Sequence, residues 1–270
     1  MTARSLSIVI LTYNTKTLLA ECLSRFYQQF ASIGVQLIVV DNASSDRTSD
    51  MIRADFPLVE LITSPQNIGY AGGNNLGIRQ ATGELVILLN SDVLASPATL
   101  LSLADELLKR TDAGAISAGL ITKEKTPQAF AYGDEPTIGY LMRRGFRALF
   151  KLGPLHRWDI DAPIEVDWIS GACMCVRAEV IKKAHLLDDR FFLYFEDVDW
   201  CRRIRHAGWH IVYDPRFSVI HLGGASQPQR YLANQTYYKS MIIFYQKHYG
   251  PAATLALRLM LPIYSRVARR

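Results

Sequence analysis

The chain has 270 residues, 49% of them hydrophobic and 20% charged, and its formal net charge is +5. A chain of this size and composition can bury one large core, or a core with a small subdomain, so we expect one enzyme-sized globular unit. Its four cysteines lack the paired spacing and the density of a disulfide scaffold, which excludes that class and predicts reduced thiols in a cytoplasmic protein.

The first half of the chain alternates between strands and helices. Apolar runs predict strands at residues 7–12, 35–40, 58–63 and 84–89, and helical spacing of apolar residues follows the first of them. This rhythm predicts an α/β fold with a mostly parallel central sheet flanked by helices. Ligands of open α/β sheets bind beyond the carboxyl ends of the strands, so we expect the functional site there.

Polar residues follow three of the predicted strands. They are Thr12, Asn14, Asp41, Asn42, Asn90, Ser91 and Asp92. Asp41 could accept a hydrogen bond from a nucleotide base, or it could begin a turn and helix cap that includes Ser45 and Asp46. Asp92 offers one oxygen ligand for Mg²⁺ or Mn²⁺ on a diphosphate, because such ions need few carboxylates besides substrate oxygens.

Residues 67–75 supply three glycines and three amide side chains where a loop meets a predicted helix. Backbone N–H groups in such a segment can approach a phosphate or a sugar closely. The segment matches neither the P-loop nor the GxGxxG pattern of dinucleotide-binding proteins.

The segment at 191–200 contains three carboxylates among five aromatic rings. Burial of Glu196, Asp197 and Asp199 beside these rings would raise their pKa values or require a cation or hydrogen-bond donors as partners. Carboxylates with such shifted pKa values are typical of functional sites. The same acids suit the first turn of a helix that ends at Gly208, with Asp199 and Arg203 as an i,i+4 pair. We expect both: a helix whose N-terminus presents acids to a cleft.

The C-terminal part of the chain is basic. Eight basic residues and no acidic residue follow Asp214. The apolar run at 255–267 is interrupted by Arg258 and Pro262 and falls short of the roughly 20 residues of a membrane span, so it fits an interfacial anchor. Residues 138–152 form a second amphipathic stretch, in which apolar and basic residues interleave. Either stretch could instead pack on its own protein.

The chain closely resembles the family 2 glycosyltransferases, and especially their rhamnosyltransferase-like branch. The resemblance covers about residues 5–250, and the order and spacing of its motifs are specific. They are SIVILTYN at 7–14, VVDNASSD at 39–46, NIGYAGGN at 67–74, LNSD at 89–92, WISGA at 168–172, FEDVD at 195–199 and HLGG at 221–224.

This resemblance implies the GT-A fold, a Rossmann-like sheet flanked by helices, with a C-terminal helical extension. We expect a catalytic domain at residues 1–225 and a basic, apolar helical segment at 226–270. The donor half of the catalytic domain would span about 1–120. The acceptor half would span about 121–225 and would contain a variable insertion at 123–165.

The resemblance also implies residue roles on the donor side. The residues implied to bind the donor are Thr12, Asn14, Asp41, Asn42, Asn67, Gly69, Asn74, Asn90 and Ser91. Asp92 is implied to bind a divalent metal, and a histidine near the position of His221 completes this site in related enzymes. A lone histidine after an apolar strand is also commonly structural, so both interpretations of His221 stand. Asn90 replaces the first acid of the Asp-x-Asp pattern of the family, which predicts weaker metal binding.

On the acceptor side, the resemblance implies that Asp197 is the general base. The supporting residues are Glu196, Asp199, Trp168 and Gly171. Residues 171–175 would form a wall of the acceptor site or a buried strand.

The reaction that the resemblance implies is a single inverting displacement at the anomeric carbon of a sugar. Our first choice is L-rhamnose from dTDP-rhamnose, and a UDP-sugar is the alternative, because Asp41 could pair with thymine or uracil equally. The basic tail predicts a lipid-linked glycan acceptor in bacterial cell-envelope polysaccharide synthesis. The protein would lie on the anionic inner face of the plasma membrane, without a nucleic-acid partner, and could form a homodimer through its C-terminal helices.

Two other classes of protein were weighed. A nucleotidyltransferase should carry a glycine-rich, basic loop after its first strand, where this chain has Thr12, Tyr13 and Asn14. A non-catalytic nucleotide-sugar or glycan-binding module would keep Asp41 but would not need Asp197 in an aromatic pocket.

Overall fold

The structure, a computed structural model, describes residues 5–153, 155–223 and 230–267, and for residues 230–234 and 263–267 it describes only the backbone. The first half alternates strands and helices, as the sequence predicts. Its elements are β1 (Leu6–Thr12), α1 (Lys16–Ser24), α2 (Tyr27–Ser32), β2 (Gln36–Asp41), α3 (Thr48–Asp55), β3 (Glu60–Thr63), α4 (Gly69–Gln80), β4 (Leu85–Asn90), β5 (Val93–Leu94) and α5 (Pro97–Lys109). The four predicted strands are β1, β2, β3 and β4.

The second half of the chain also contains both strands and helices, and its last two helices are the longest that the structure describes. Its elements are β6 (Ala113–Ile121), β7 (Tyr132–Gly133), α6 (Ile138–Leu149), β8 (Ile164–Glu165), β9 (Trp168–Ile169), β10 (Cys173–Arg177), α7 (Ala178–Ala184), α8 (Glu196–His206), β11 (His210–His221), α9 (Arg230–His248) and α10 (Gly250–Val267). The predicted helix with acids in its first turn is α8, and the two predicted amphipathic stretches lie in α6 and α10. The predicted C-terminal helical segment is described from residue 230 to residue 267.

The described strands form one nine-stranded sheet and one two-stranded sheet. The order of the large sheet is β3-β2-β1-β4-β10-β6-β11-β5, with β8 paired to β11, and β7 pairs with β9. Strands β3, β2, β1 and β4 are parallel, whereas β10 runs antiparallel to β4 and β6. Because β10 is reversed, the residues before it lie at the edge where β1, β2 and β4 end. Asn90 N accordingly donates to Ala172 O at 2.9 Å.

The buried side chains form two hydrophobic clusters. The larger one contains β1, β2, β4, β6 and β10; β4 is buried from Leu85 to Leu89, as expected of a strand covered on both faces. The smaller one joins α6, α8, α9 and α10 to the segment before α8, through Leu141, Phe195, Phe244 and Leu257 among others. The C-terminal helices therefore pack on the segment that leads into the acids of α8.

The four cysteines are buried and unbridged, which confirms the prediction of free thiols. Burial raises the pKa of Cys173 to about 12, so its thiol stays protonated at neutral pH. Among the helices that the structure describes, none combines the length and the apolar character needed to cross a membrane.

Candidate active site

A hydrogen-bond network around Asp41 joins the carboxyl ends of β1 and β2. Thr12 and Asp41 are register partners at the ends of these two strands. The buried Asp41 carboxylate accepts hydrogen bonds from Ser44 N at 2.8 Å and from the Ser49 hydroxyl group. It therefore holds the turn into α3, as one of the two sequence interpretations states, and a contact with a nucleotide base stays a prediction.

Asn14 ties the loop after β1 to the loop after β2. It has a φ angle of 53°, its N–H donates to Ser44 Oγ at 2.9 Å, and its side-chain oxygen accepts from the next backbone N–H of that loop at 2.7 Å. Deeper in the site, Thr12 Oγ1 lies 2.8 Å from Thr15 Oγ1, which lies 2.9 Å from Ser91 Oγ. These contacts bring three of the expected donor-binding residues to one edge of the sheet.

The asparagine side chains of this region bind each other and the backbone. Asn42 Nδ2 donates to Asn67 Oδ1 at 2.9 Å and to Gly69 O at 3.1 Å, and Asn42 Oδ1 accepts from the intervening backbone N–H at 3.0 Å. Asn74 Nδ2 donates to the backbone of its own helix at 3.0 Å. Asn42 and Asn74 are buried, so they position the loop before α4, and direct contact with a donor stays a prediction.

Asp92 and His221 lie side by side, as the resemblance implies. Strand β11 pairs with β5 next to these residues, and His221 Nε2 lies 3.4 Å from Asp92 Oδ1. His221 Nδ1 lies 2.8 Å from Gln128 Oε1, while Gln128 Nε2 donates to the backbone oxygen of His221 at 2.6 Å. The glycine that follows Gly223 in the HLGG motif lies outside the described residues.

The two contacts with Gln128 determine the tautomer of His221, that is, which ring nitrogen carries the proton when the imidazole is neutral. The amide nitrogen of Gln128 has to point at a carbonyl oxygen, so its Oε1 faces His221 Nδ1 and requires a proton there. In the neutral imidazole the lone pair then lies on Nε2, on the side of Asp92. Two electron-pair donors that converge in this way suit a cation.

The donor set at this position fits a divalent metal ion. Two ligand atoms that are each about 2.1 Å from one Mg²⁺ lie roughly 3 Å or more apart, and the observed separation is 3.4 Å. In the described part of the chain, no group of three or more His, Cys, Asp or Glu side chains could hold a metal. A cation bound by Asp92 and His221 would therefore take its other ligands from a substrate or from water.

Helix α8 begins with two acidic residues, Glu196 and Asp197, whose surroundings differ. Glu196 is buried, and burial together with the neighbouring Asp197 raises the pKa of Glu196 well above its ordinary value. Burial also raises the pKa of Asp197, although Asp197 keeps a partly exposed edge and accepts hydrogen bonds from Gly171 N at 3.2 Å and Val198 N at 2.8 Å. The more strongly raised pKa of Glu196 favours this residue as the protonated member of the pair, and Asp197 is the more accessible carboxyl group of the two.

Tyr70 joins the donor side of the site to the acceptor side. Its hydroxyl group donates to Gly171 O at 2.8 Å, and its N–H donates to Phe192 O at 2.6 Å. Gly69 has a φ angle of 79°, and a Cβ there would lie 2.4 Å from Phe192 O, so only glycine fits this contact. Desolvation, followed by the charges of Glu196 and other nearby acids, raises the pKa of Tyr70 well above its ordinary value.

Asp199 has a structural task in this arrangement. It is fully buried and binds Arg203 Nε at 2.8 Å, Lys247 Nζ at 2.7 Å and His248 Nε2 at 2.7 Å. Burial raises the pKa of Asp199, but the hydrogen bond from His248 and the charge of Arg203 outweigh it and lower the pKa below its ordinary value. The expected pair with Arg203 is confirmed, and Asp199 also holds α9 against α8.

Trp168 is anchored rather than free to move. Its indole N–H donates to Asp134 O at 2.9 Å, and a Cβ on Gly133 would lie 2.8 Å from its ring. The partly buried side chain packs against both hydrophobic clusters. The adjacent residues from Cys173 form the buried strand β10, so this part of the 171–175 segment is a strand, and a contact with an acceptor stays a prediction.

Sequence reasoning missed two residues of the site. Tyr70 lies within the glycine- and amide-rich segment, so its position next to the site was visible, but its contact with Gly171 was not. Gln128 lies in a stretch without periodicity, and no pattern in the sequence connects it with His221.

Several known proteins are similar in sequence to this chain. Residues 7–157 match the family model described as Glycosyl transferase family 2. The N-acetylglucosaminyl-diphospho-decaprenol L-rhamnosyltransferase of Mycobacterium tuberculosis is 30% identical over 236 residues, which cover 78% of this chain and 74% of the relative. A low-salt glycan biosynthesis hexosyltransferase of Haloferax volcanii is 28% identical over 220 residues, which cover 80% of this chain and 66% of the relative.

A solved structure shares the fold. The mannosyltransferase of Pyrobaculum calidifontis, in complex with GDP-Man and Mn²⁺, superposes with a TM-score of 0.64 at 18% sequence identity. The match covers 99% of this chain and 74% of that protein. At this level of identity the likeness concerns the fold.

Proposed function

Because the chain belongs to glycosyl transferase family 2, we propose that it moves a sugar from a nucleoside diphosphate to an acceptor hydroxyl group, with inversion at the anomeric carbon. It is a glycosyltransferase with the GT-A fold, and it belongs to the rhamnosyltransferase-like branch of the family. One observation carries the proposal: the Tyr70 hydroxyl group donates to Gly171 O at 2.8 Å, and Gly171 N donates to Asp197 Oδ2 at 3.2 Å, so the donor half and the first turn of α8 meet at one site.

Asp197 is the residue that we assign as the general base. It accepts the proton of the acceptor hydroxyl group while the acceptor oxygen forms a bond to the anomeric carbon. The bond between that carbon and the diphosphate oxygen breaks in the same step, and the nucleoside diphosphate leaves with the bonding electrons. With Glu196 protonated, as the raised pKa of this residue favours, the pair carries one negative charge before the reaction and none after it.

Asp92 and His221 are the residues that would hold a divalent cation, Mg²⁺ or Mn²⁺. When bound, the cation neutralises negative charge on the diphosphate. The imidazole of His221 favours Mn²⁺ over Mg²⁺ only weakly. Asn90, in place of an acid at the end of β4, leaves one carboxylate for the cation and predicts modest affinity.

The preferred donor is dTDP-L-rhamnose, and a UDP-sugar is the alternative. The rhamnosyltransferase of Mycobacterium tuberculosis, whose name states a diphospho-decaprenol acceptor, supports rhamnose and a polyprenol-linked glycan acceptor. The nucleoside contacts are assigned to Thr12, Asn14 and Asp41, and the remaining donor contacts to the loop before α4 and the end of β4. We assign the protein to bacterial cell-envelope polysaccharide synthesis at the inner face of the plasma membrane.

The proposal divides the chain between the two substrates. Residues 1–120 make the donor half, and residues 121–225 make the acceptor half, in which Trp168, Gly171 and Glu196 line the acceptor. The insertion at 123–165 faces the acceptor, and residues 226–270 form the C-terminal helical segment.

The experiment pairs calorimetry with a transfer assay. The purified chain is titrated with dTDP and UDP, with and without Mn²⁺, and is then given GlcNAc-diphosphate on a polyprenol together with labelled dTDP-rhamnose or UDP-sugars. Metal-dependent binding of dTDP and transfer of rhamnose support the proposal. Transfer from a UDP-sugar and not from dTDP-rhamnose would assign the UDP-sugar as the donor. Nucleotide binding without transfer from any donor would favour a binding module.

A further inference from the structure

Large apolar side chains are concentrated on one exposed part of the surface. Five of them lie in α6 or directly after it and two lie on α10, and each is more than half exposed. They are Met142, Phe146, Leu149, Phe150, Leu152, Leu255 and Leu259, and we call their surface the α6–α10 face. They make up seven of the twelve exposed large hydrophobic side chains in the described part of the chain. Such concentration marks an interaction surface, whereas scattered exposed apolar residues do not.

Helix α6 carries two apolar stripes. Leu141 is buried in the smaller hydrophobic cluster, which holds the helix on the protein. Met142, Phe146 and Leu149 recur at intervals of four and three residues, so they form a second stripe on one side of the helix that stays exposed. Packing on the protein's own core therefore buries only one of the two apolar stripes and leaves the other exposed to solvent.

The charges beside the exposed stripe are positive. Arg143, Arg147 and Lys151 follow it along the chain, and residues 138–152 contain no acidic residue. Arg143 lies 3.7 Å from Asp134, and both side chains are largely exposed, so this pair holds the cation weakly. A surface that combines exposed aromatic and aliphatic side chains with cations is complementary to an anionic lipid headgroup layer.

We propose that the α6–α10 face docks on an anionic lipid surface. The proposal deepens the proposed function, on which it rests, by naming the surface that presents a lipid-linked acceptor to the site. Leu141 of α6 and Leu257 of α10 lie in the same cluster as Phe195, the residue before Glu196. Docking through this face therefore places the membrane on the outer side of two helices whose inner sides pack with the residue before the acids of α8.

A second copy of the chain fits this face less well. In a symmetric dimer the same surface meets itself, so Arg143, Arg147 and Lys151 would face the cations of the other copy. Like charges brought together in this way oppose association, whereas an anionic lipid layer attracts them. The charge of the face thus selects the lipid over the dimer.

Vesicle flotation of the full chain tests the proposal. The protein is mixed with vesicles of phosphatidylcholine alone or of phosphatidylcholine with phosphatidylglycerol, and the floated fraction is measured. We expect flotation with the anionic vesicles and at least about tenfold weaker partitioning for Phe146→Ser with Leu149→Ser, since two large apolar groups no longer leave water. Arg143→Gln should weaken it about fivefold, the effect of one cation near the surface.

Matched controls separate this surface from general stickiness. Leu58→Ser removes an equally exposed apolar side chain far from α6 in sequence, and Arg79→Gln removes an exposed cation of α4; neither should change flotation. Failure of the wild-type chain to float with anionic vesicles overturns the proposal. Sedimentation that shows a dimer, lost in the Phe146→Ser and Leu149→Ser variant, together with absent flotation, would assign the face to a second copy.

Flotation does not depend on catalysis, so the two proposals can fail separately. Flotation without sugar transfer to any acceptor would reject the proposed function and keep the docking surface. Transfer to a short-chain, water-soluble acceptor without flotation would reject the docking surface and keep the proposed function.

Discussion

His221 and Gln128 hold each other through two contacts: His221 Nδ1 lies 2.8 Å from Gln128 Oε1, and Gln128 Nε2 donates to the backbone oxygen of His221 at 2.6 Å. A variant without both polar atoms of Gln128 no longer fixes the orientation of the His221 ring or the nitrogen that carries its proton. We expect Gln128→Leu to weaken Mn²⁺ binding about 10–100-fold, measured by titrating Mn²⁺ into the protein with dTDP present.

The conservative variant Gln128→Glu keeps an oxygen acceptor for Nδ1–H, and it should retain a larger share of the Mn²⁺ affinity. Gln28→Leu, at an exposed glutamine of α2 outside the site, is the matched control. Unchanged Mn²⁺ affinity in Gln128→Leu would show that Gln128 does not position His221 for a metal.

Asp197 should be required for turnover and dispensable for donor binding. Asp197→Asn keeps the size of the side chain but removes the proton acceptor, so we expect kcat to fall about 10²–10⁴-fold. The affinity for dTDP, measured by calorimetry, should stay within twofold or so of the wild-type value, because no nucleotide contact is removed. Asp189→Asn, at an exposed acid before α8, serves as the control. Retained turnover in Asp197→Asn would move the role of base to another residue.

Glu196 should make the protein less stable as the pH rises. Burial and Asp197 raise its folded-state pKa well above its ordinary value, so the folded chain binds more protons than the unfolded chain between the two values. The stability that protonated Glu196 provides is present at pH values below about 4.3, its unfolded pKa, and is lost as the pH rises towards the folded pKa.

The variant Glu196→Gln is neutral at every pH, so its Tm should exceed that of the wild type by more at pH 8 than at pH 5. Thermal unfolding at the two pH values measures the difference. An equal difference at both values would mean that Glu196 is ionised in the folded protein at neutral pH.

Gly171 should tolerate no side chain. A Cβ there would lie 2.6 Å from the hydroxyl oxygen of Tyr70, so Gly171→Ala displaces Tyr70 or the backbone that binds Asp197. We expect a loss of about 1–3 kcal/mol in the free energy of unfolding, together with lower kcat. Adding Tyr70→Phe removes the clashing oxygen and should restore part of the stability.

Gly139→Ala is the matched control for this prediction. A Cβ at Gly139 in α6 would have only Thr137 Oγ1 near it, at 3.9 Å, and alanine is favoured over glycine inside a helix by about 1 kcal/mol. Denaturant unfolding should therefore show Gly139→Ala to be as stable as the wild type or more so. A Gly171→Ala protein with unchanged stability and kcat would remove the constraint ascribed to Tyr70.

The elements that could be predicted from the sequence are those with clear hydrophobic periodicity or a continuous apolar run. The predicted strand at 84–89 is continuously apolar from Leu85 to Leu89, which predicts burial on both faces, and β4 is buried in this way. The pair of Asp199 with Arg203 follows from helical spacing alone. Local pattern carries this information, because each prediction concerns residues that are neighbours along the chain.

Contacts between distant residues could not be predicted in the same way. Asp199 binds Lys247 and His248 across 48 and 49 positions, and His221 meets Gln128 across 93, so no periodicity reports them. Asn42 is expected to bind a donor, and no local pattern shows that its amide also holds the loop before α4. Whether a polar side chain serves a ligand or the protein itself depends on partners that only the folded chain supplies.

The attachment of α9 to Asp199 has a consequence for a chain that is still being synthesised. Lys247 and His248 lie in α9, which follows β11 along the chain, and until they leave the ribosome Asp199 lacks two of its three partners. A buried carboxylate with too few partners is costly, so α8 cannot settle fully before then. The helix that carries Asp197 is therefore completed only after α9 has been made, and a nascent chain that stalls after β11 would have its first strands and helices without a fully packed α8.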